Sequence, residues 1–180
     1  MPTYSAIPDS DVDADSPLTP ELFTLLRDNP IAMDKIGILA ADQTYNDDAT
    51  VNDTTMDVTV VGGKTYHVHA VLAVTAANSG AGIRFKLVTP DPTNDVGTMY
   101  LVEVSAYLTP SMISTINTDH TIDDIETAFT NLFTIDAYVT LDATPASGDI
   151  ELWASQKDAH ASNTVLLAGS FMTAMMVDAT

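Results

Sequence analysis

Three stretches of the chain carry residue types that could do chemistry. In DSDVDADSPLTPELF, Asp11, Asp13 and Asp15 fall at alternate positions, the spacing of the first three ligands of an EF-hand calcium loop. That loop next needs a glycine and ends on a bidentate glutamate. Here Ser16 stands in the glycine position and Leu22 in the glutamate position, Glu21 is one residue early, and Pro17 and Pro20 interrupt the run. The segment reads instead as a solvated acidic arm, or one that pairs with bases on a partner. His67 and His69 lie two apart on a predicted strand, so both point to one face. Such a pair can hold zinc when a third ligand arrives from elsewhere, and His120 and His160 are the remaining imidazoles. With no HExxH motif and no cysteine, the pair reads as a polar outward face, and neither a metal nor a cofactor is expected. VVGGKTY ends like a phosphate-binding loop, but Val58 stands where that loop needs its first glycine. TYHVHAV then alternates like a strand instead of opening a helix, so Gly62-Gly63 reads as a hairpin turn. There is no GxSxG elbow, no catalytic residue is assigned, and the chain is not expected to be an enzyme.

Composition narrows the field further. The chain has 180 residues, 46% of them hydrophobic, enough for one ordinary domain with an appendage. It has no cysteine, which excludes disulfides, thiolate metal sites and cysteine nucleophiles. The net charge is −19, from 25 acids against 6 bases. Neutralising phosphates needs Lys and Arg, so neither nucleic acid nor an anionic membrane surface is an expected partner. The start MPTYSAIPDSDVD lacks the basic and apolar regions of a signal peptide. Runs such as VLLAG are far shorter than the roughly 20 apolar residues that cross a bilayer.

The elements that would position these residues fall into two parts. Residues 1–50 read as an extended arm, a short helix at about 17–28 and a connector. Ser16 or Thr19 caps the helix with proline in its first turn, and Asn29-Pro30 ends it. Leu18, Leu22, Leu25 and Leu26 recur at helical spacing with Phe23 beside them. A helix of about three turns is marginal alone, so its leucine stripe needs a surface, either its own domain or another chain. From about Met56 the period changes to two, and residues 51–180 read as a β-sandwich. Tyr66, Val68, Ala70, Leu72 and Val74 share one face of a strand, and Ile83, Phe85 and Leu87 oppose Arg84 and Lys86 on the next. TMYLVEVSAYLT, LFTIDAYVTLDA, DIELWASQ and TVLLAGSFMTAMMV continue the series, separated by NSGAG, TPDPTND and TPASGD turns. HTIDDIETAFTNL fits either a short helix capped by Thr121 or an irregular strand. The expected class is all-β, a jelly-roll-like antiparallel sandwich. Trp153 is either a core anchor or a subunit contact.

DVDADSPLTPELFTLLRDNPIAM resembles an N-terminal segment of tailed-bacteriophage structural proteins: an acidic start, Ser-Pro, a leucine helix, then Arg-Asp-Asn-Pro. GKTYHVHAVLAVTA, AGIRFKL, GDIELWASQ and TVLLAGSFM resemble the jelly rolls of phage head fibres, spikes and decoration proteins. The last two are similar to the closing strands of tumour-necrosis-factor-like trimers. Pro20 departs from the pattern, where a polar helix former is usual. The resemblance implies a virion structural protein, either a capsid decoration or head-fibre protein or, alternatively, the receptor-binding part of a tail fibre or spike. It implies a homotrimer on the capsid surface whose partners are the major capsid protein or other virion proteins. Leu18, Leu22, Phe23, Leu25, Leu26, Arg27 and Asn29 would make the docking contacts.

Overall fold

The chain divides into two units, Met1–Asp34 and Lys35–Thr180. A computed structural model describes residues 36–47, 51–103, 113–123, 125–127 and 130–177, all in the second unit. The expected helix at about 17–28 and the acidic run before it lie outside the described residues.

Strand-forming alternation governs the described chain. The long hairpin of β3 (Asn52–Val61) and β4 (Thr65–Ala76) turns at Gly62-Gly63, as the sequence suggested. Gly63 has φ +71°, a conformation that side chains with a Cβ adopt rarely. A Cβ on Gly62 would collide with the carbonyl oxygen of Pro145, so the turn is seated against a neighbouring loop. The GKT residues are therefore hairpin, and no helix follows them. The remaining strands are β5 (Ile83–Val88), β6 (Val96–Glu103), β7 (Ile113–Thr115), β8 (His120–Ile122), β9 (Asn131–Thr140) and β10 (Ser147–Ser155). Of the two alternatives for HTIDDIETAFTNL, its opening residues take the strand, β8, which pairs with β5.

All strand pairs are antiparallel, and they form two sheets. The smaller sheet has the order β3-β10-β5-β8, and the larger contains β4-β9-β6-β7. Eight consecutive strands thus alternate between the sheets, except that β6 and β7 stay together. Within each sheet the late strands β10 and β9 insert beside the early strands β3 and β4. This is the wrapping of a jelly roll, two Greek keys closed on one core. The roll closes at β10. TVLLAGSFMTAMMV splits at Gly169 into β11 (Thr164–Leu166) and β12 (Phe171–Met176), which extend the larger sheet beyond β4. β1 (Ile36–Ile38) and β2 (Gln43–Tyr45), from the stretch read as a connector, pair with β12 and β11. β1 also crosses β3 closely. A Cβ on Gly37 would be 2.8 Å from both the amide nitrogen and the carbonyl oxygen of Asp57.

The core lies between the sheets. Tyr66, Val68, Ala70, Leu72 and Val74 from β4 face Ile83, Phe85 and Leu87 from β5, with Phe133, Ile135 and Val139 of β9 and Ile150 and Leu152 of β10. Phe85 and Phe133 meet edge to face at 6.0 Å and bridge the two sheets. The buried Tyr66 hydroxyl accepts a bond from the Val61 amide at 2.9 Å, so the one polar atom it takes into the core is satisfied.

Candidate functional site

With the core parity fixed, the opposite residues of each strand form the two outer faces, and these differ in chemistry. On the smaller sheet, Asp53 and Asp57 of β3, Asp149 and Glu151 of β10, and Arg84 and Lys86 of β5 point outward. This is an ordinary solvated, charged surface. Trp153 lies half-buried among these side chains, not in the core, and its indole N–H donates to the Glu151 carboxylate at 2.7 Å.

The outer face of the larger sheet is almost free of charge. Register sets its rows. Tyr100, Asp136, His69, Thr173 and Ile36 lie side by side across β6, β9, β4, β12 and β1. On one side run Val102, Thr134, Val71, Phe171 and Ile38, and on the other Thr98, Tyr138, His67 and Met175. Among the described residues, nine large hydrophobic side chains are exposed, and six of them lie on this face: Ile38, Val96, Tyr100, Leu132, Tyr138 and Met175. Tyr138 is 56% exposed and Val96 63%, values at which burial is still to be gained.

Asp136 is the one carboxylate at the described outward positions of this face. Its Oδ1 lies 2.9 Å from His69 Nδ1 and 3.3 Å from His67 Nε2. The Tyr138 ring stacks on His67 at 4.9 Å. The expected sharing of one face by His67 and His69 is therefore observed. What the sequence reading missed is Asp136, which arrives from the adjacent strand and engages both. The other two imidazoles stand on different elements, His120 in β8 and His160 in the loop after β10. Among the described residues no group of three or more His, Asp or Glu is arranged to hold a metal ion. None of their helices is long and apolar enough to cross a membrane.

No family model matches the chain, and no curated protein matches it. Among solved structures it is similar to infectious bursal disease virus of the Gx strain, at 11% identity and a TM-score of 0.19. That match covers 80% of this chain and 36% of the other. It is also similar to the VP2 subviral particle of infectious bursal disease virus, at 9% identity and a TM-score of 0.21. There, 79% of this chain and 36% of the other are covered, so the chain spans about a third of the proteins it matches. The jelly-roll assignment rests on the strand order alone.

His120 supplies a check on the fold around β8. Its side chain is 5% exposed, and burial pushes its pKa below the ordinary 6.5. The unfolded chain therefore takes up a proton that the folded chain resists. Stability from this group is complete above pH 6.5 and is lost as the pH falls through the lowered folded value. In urea titrations between pH 7.5 and 4.5, His120→Gln should lose that part of the acid-side decline. An unchanged slope would assign the decline to other groups.

Proposed function

We propose that this chain is a structural component of a virus particle. Its work is to be placed and held, not to react. On this reading the first unit is the anchor and the jelly roll is the exposed body, as in a capsid decoration or head-fibre protein of a tailed phage. The observation that carries the proposal is the charge-poor outer face of the larger sheet, with its exposed hydrophobic side chains, on a chain of net charge −19. An acidic surface keeps a body soluble, whereas a broad charge-poor face suits lasting contact with protein.

The sequence of Met1–Asp34 supports the anchoring half. Leu18, Leu22, Leu25 and Leu26 recur at the spacing of a helical stripe, which a short helix could not bury by itself, and Phe23, Arg27 and Asn29 are their neighbours in sequence. Many weakly bound copies on a lattice hold firmly together, since linked contacts multiply. A homotrimer, with the major capsid protein as its support, is the arrangement this reading favours. The alternative, a receptor-binding tip, draws less support. The exposed tyrosines lie on strands of a sheet face, and the turns NSGAG and TPASGD contain no aromatic residue.

The test is composition. Particles purified from cells that make this chain should contain it in fixed ratio to the main shell protein through gradient and salt washes. A chain found free in the lysate and absent from particles would contradict the proposal.

A further inference from the structure

We propose that the outer face of the larger sheet is where a second copy of this chain docks. The inference rests on the structural role above and names the partner of that face. Three observations lead to it.

The first is charge. Two copies bring a net charge of −19 each, so contact between them is opposed wherever uncompensated carboxylates meet. The smaller sheet presents Asp53, Asp57, Asp149 and Glu151 outward against Arg84 and Lys86, so a copy approaching there meets a net excess of its own sign. At its described outward positions the larger sheet presents one carboxylate, Asp136, already engaged by His67 and His69. A basic partner would find no array of acids to bind on this face and an ample one on the other. An equally acidic copy finds here the broad surface that does not repel it.

The second is composition. Six of the nine exposed large hydrophobics among the described residues gather here, two of them tyrosines. Tyrosine is enriched at protein interfaces because a large apolar ring comes with a polar tip. Half-buried Val71 and Phe171 lie side by side in the row next to Asp136 and His69, with Ile38 beyond them.

The third is extent. Strands are spaced about 4.8 Å apart and same-face residues about 6.8 Å apart, so three rows, two across five strands and one across four, span at most roughly 24 by 20 Å. A flat footprint on the order of 500 Å², enlarged by protruding side chains, approaches the about 800 Å² per partner of a standard interface.

The experiment uses the full chain, without particles, in sedimentation velocity over a wide concentration range. The wild type should self-associate. Tyr100→Asp combined with Tyr138→Asp should weaken association roughly thirty-fold or more, because central aromatic residues dominate interface energies. Thr59→Asp, on the outer face of the smaller sheet, should leave association unchanged. Thermal melts followed by circular dichroism confirm that each variant is folded. If the double variant loses its transition, Val96→Glu at an exposed position of the same face carries the same expectation. A wild type that is monomeric throughout, or a folded face variant that associates like the wild type, overturns the inference. A monomer that still enters particles would remove this contact and leave the structural role standing. A self-associating chain absent from particles would do the reverse.

Discussion

Replacing Phe133 by alanine is expected to destabilise the jelly roll by about 3–5 kcal/mol, the range for truncating a fully buried aromatic ring. Phe133 has no exposed surface, and it reaches from β9 to the Phe85 ring of β5 at 6.0 Å. Its loss removes apolar burial and an edge-to-face pair, and it opens a cavity between two sheets whose backbones cannot close on it. Against a usual total of about 5–15 kcal/mol this is a large share, and the melting temperature should fall by roughly 10 °C or more. Phe133→Leu should recover most of the loss, because it refills most of the volume. Leu132→Ala, one residue away and 40% exposed, should change stability little. If the substitutions at 132 and 133 proved equally damaging, the inward and outward assignment of β9 would be wrong. The charge-poor face would then have no basis, since every residue on it is placed by that parity.

The same parity explains what the sequence could and could not reveal. Alternation in TYHVHAVLAVTA and IRFKLV was sufficient to put Val68 and Phe85 inside and His67 and Lys86 outside. Period two is a local property, and a buried strand face enforces it. Gly62-Gly63 was legible as a turn for a similarly local reason, the positive φ of Gly63. Pairing partners are not local. Nothing in LFTIDAYVT indicates that Asp136 will stand between His67 and His69, because that depends on β9 lying beside β4 in one register. For the same reason Tyr100, Tyr138, Met175 and Ile38 read as scattered hydrophobics until four strands bring them to one face. Trp153 illustrates the converse. Its size suggested a core anchor or a subunit contact; its outward position beside Glu151, where the β3–β10 register breaks, removes the first of these. β1 and β2 were hidden because three-residue strands are too short to show a period.

The second large effect concerns Met1–Asp34. Deleting this unit should abolish attachment to particles while leaving the jelly roll folded. The expectation of folding follows from the core, whose buried members among the described residues run from Leu39 to Ala174. The melting temperature of the shortened chain should stay within a few degrees of the parent, since surface changes away from a core are usually small. The expectation for attachment follows from the leucine stripe. On this account Leu18, Leu22, Leu25 and Leu26 gain their burial from the particle and not from the jelly roll. Replacing Leu22 and Leu26 together by serine should therefore act almost as strongly as the deletion. Each lost contact is repeated at every copy on the lattice.

The most direct measurement is the amount of this chain recovered with particles assembled without it, to which either the full-length protein or residues 35–180 are then added. The account predicts saturable binding of the full chain and none of the shortened one, with both equally folded by circular dichroism. Equal binding of the two would contradict it, since the jelly roll would then attach by itself and the leucine-bearing unit would have no part in placing it.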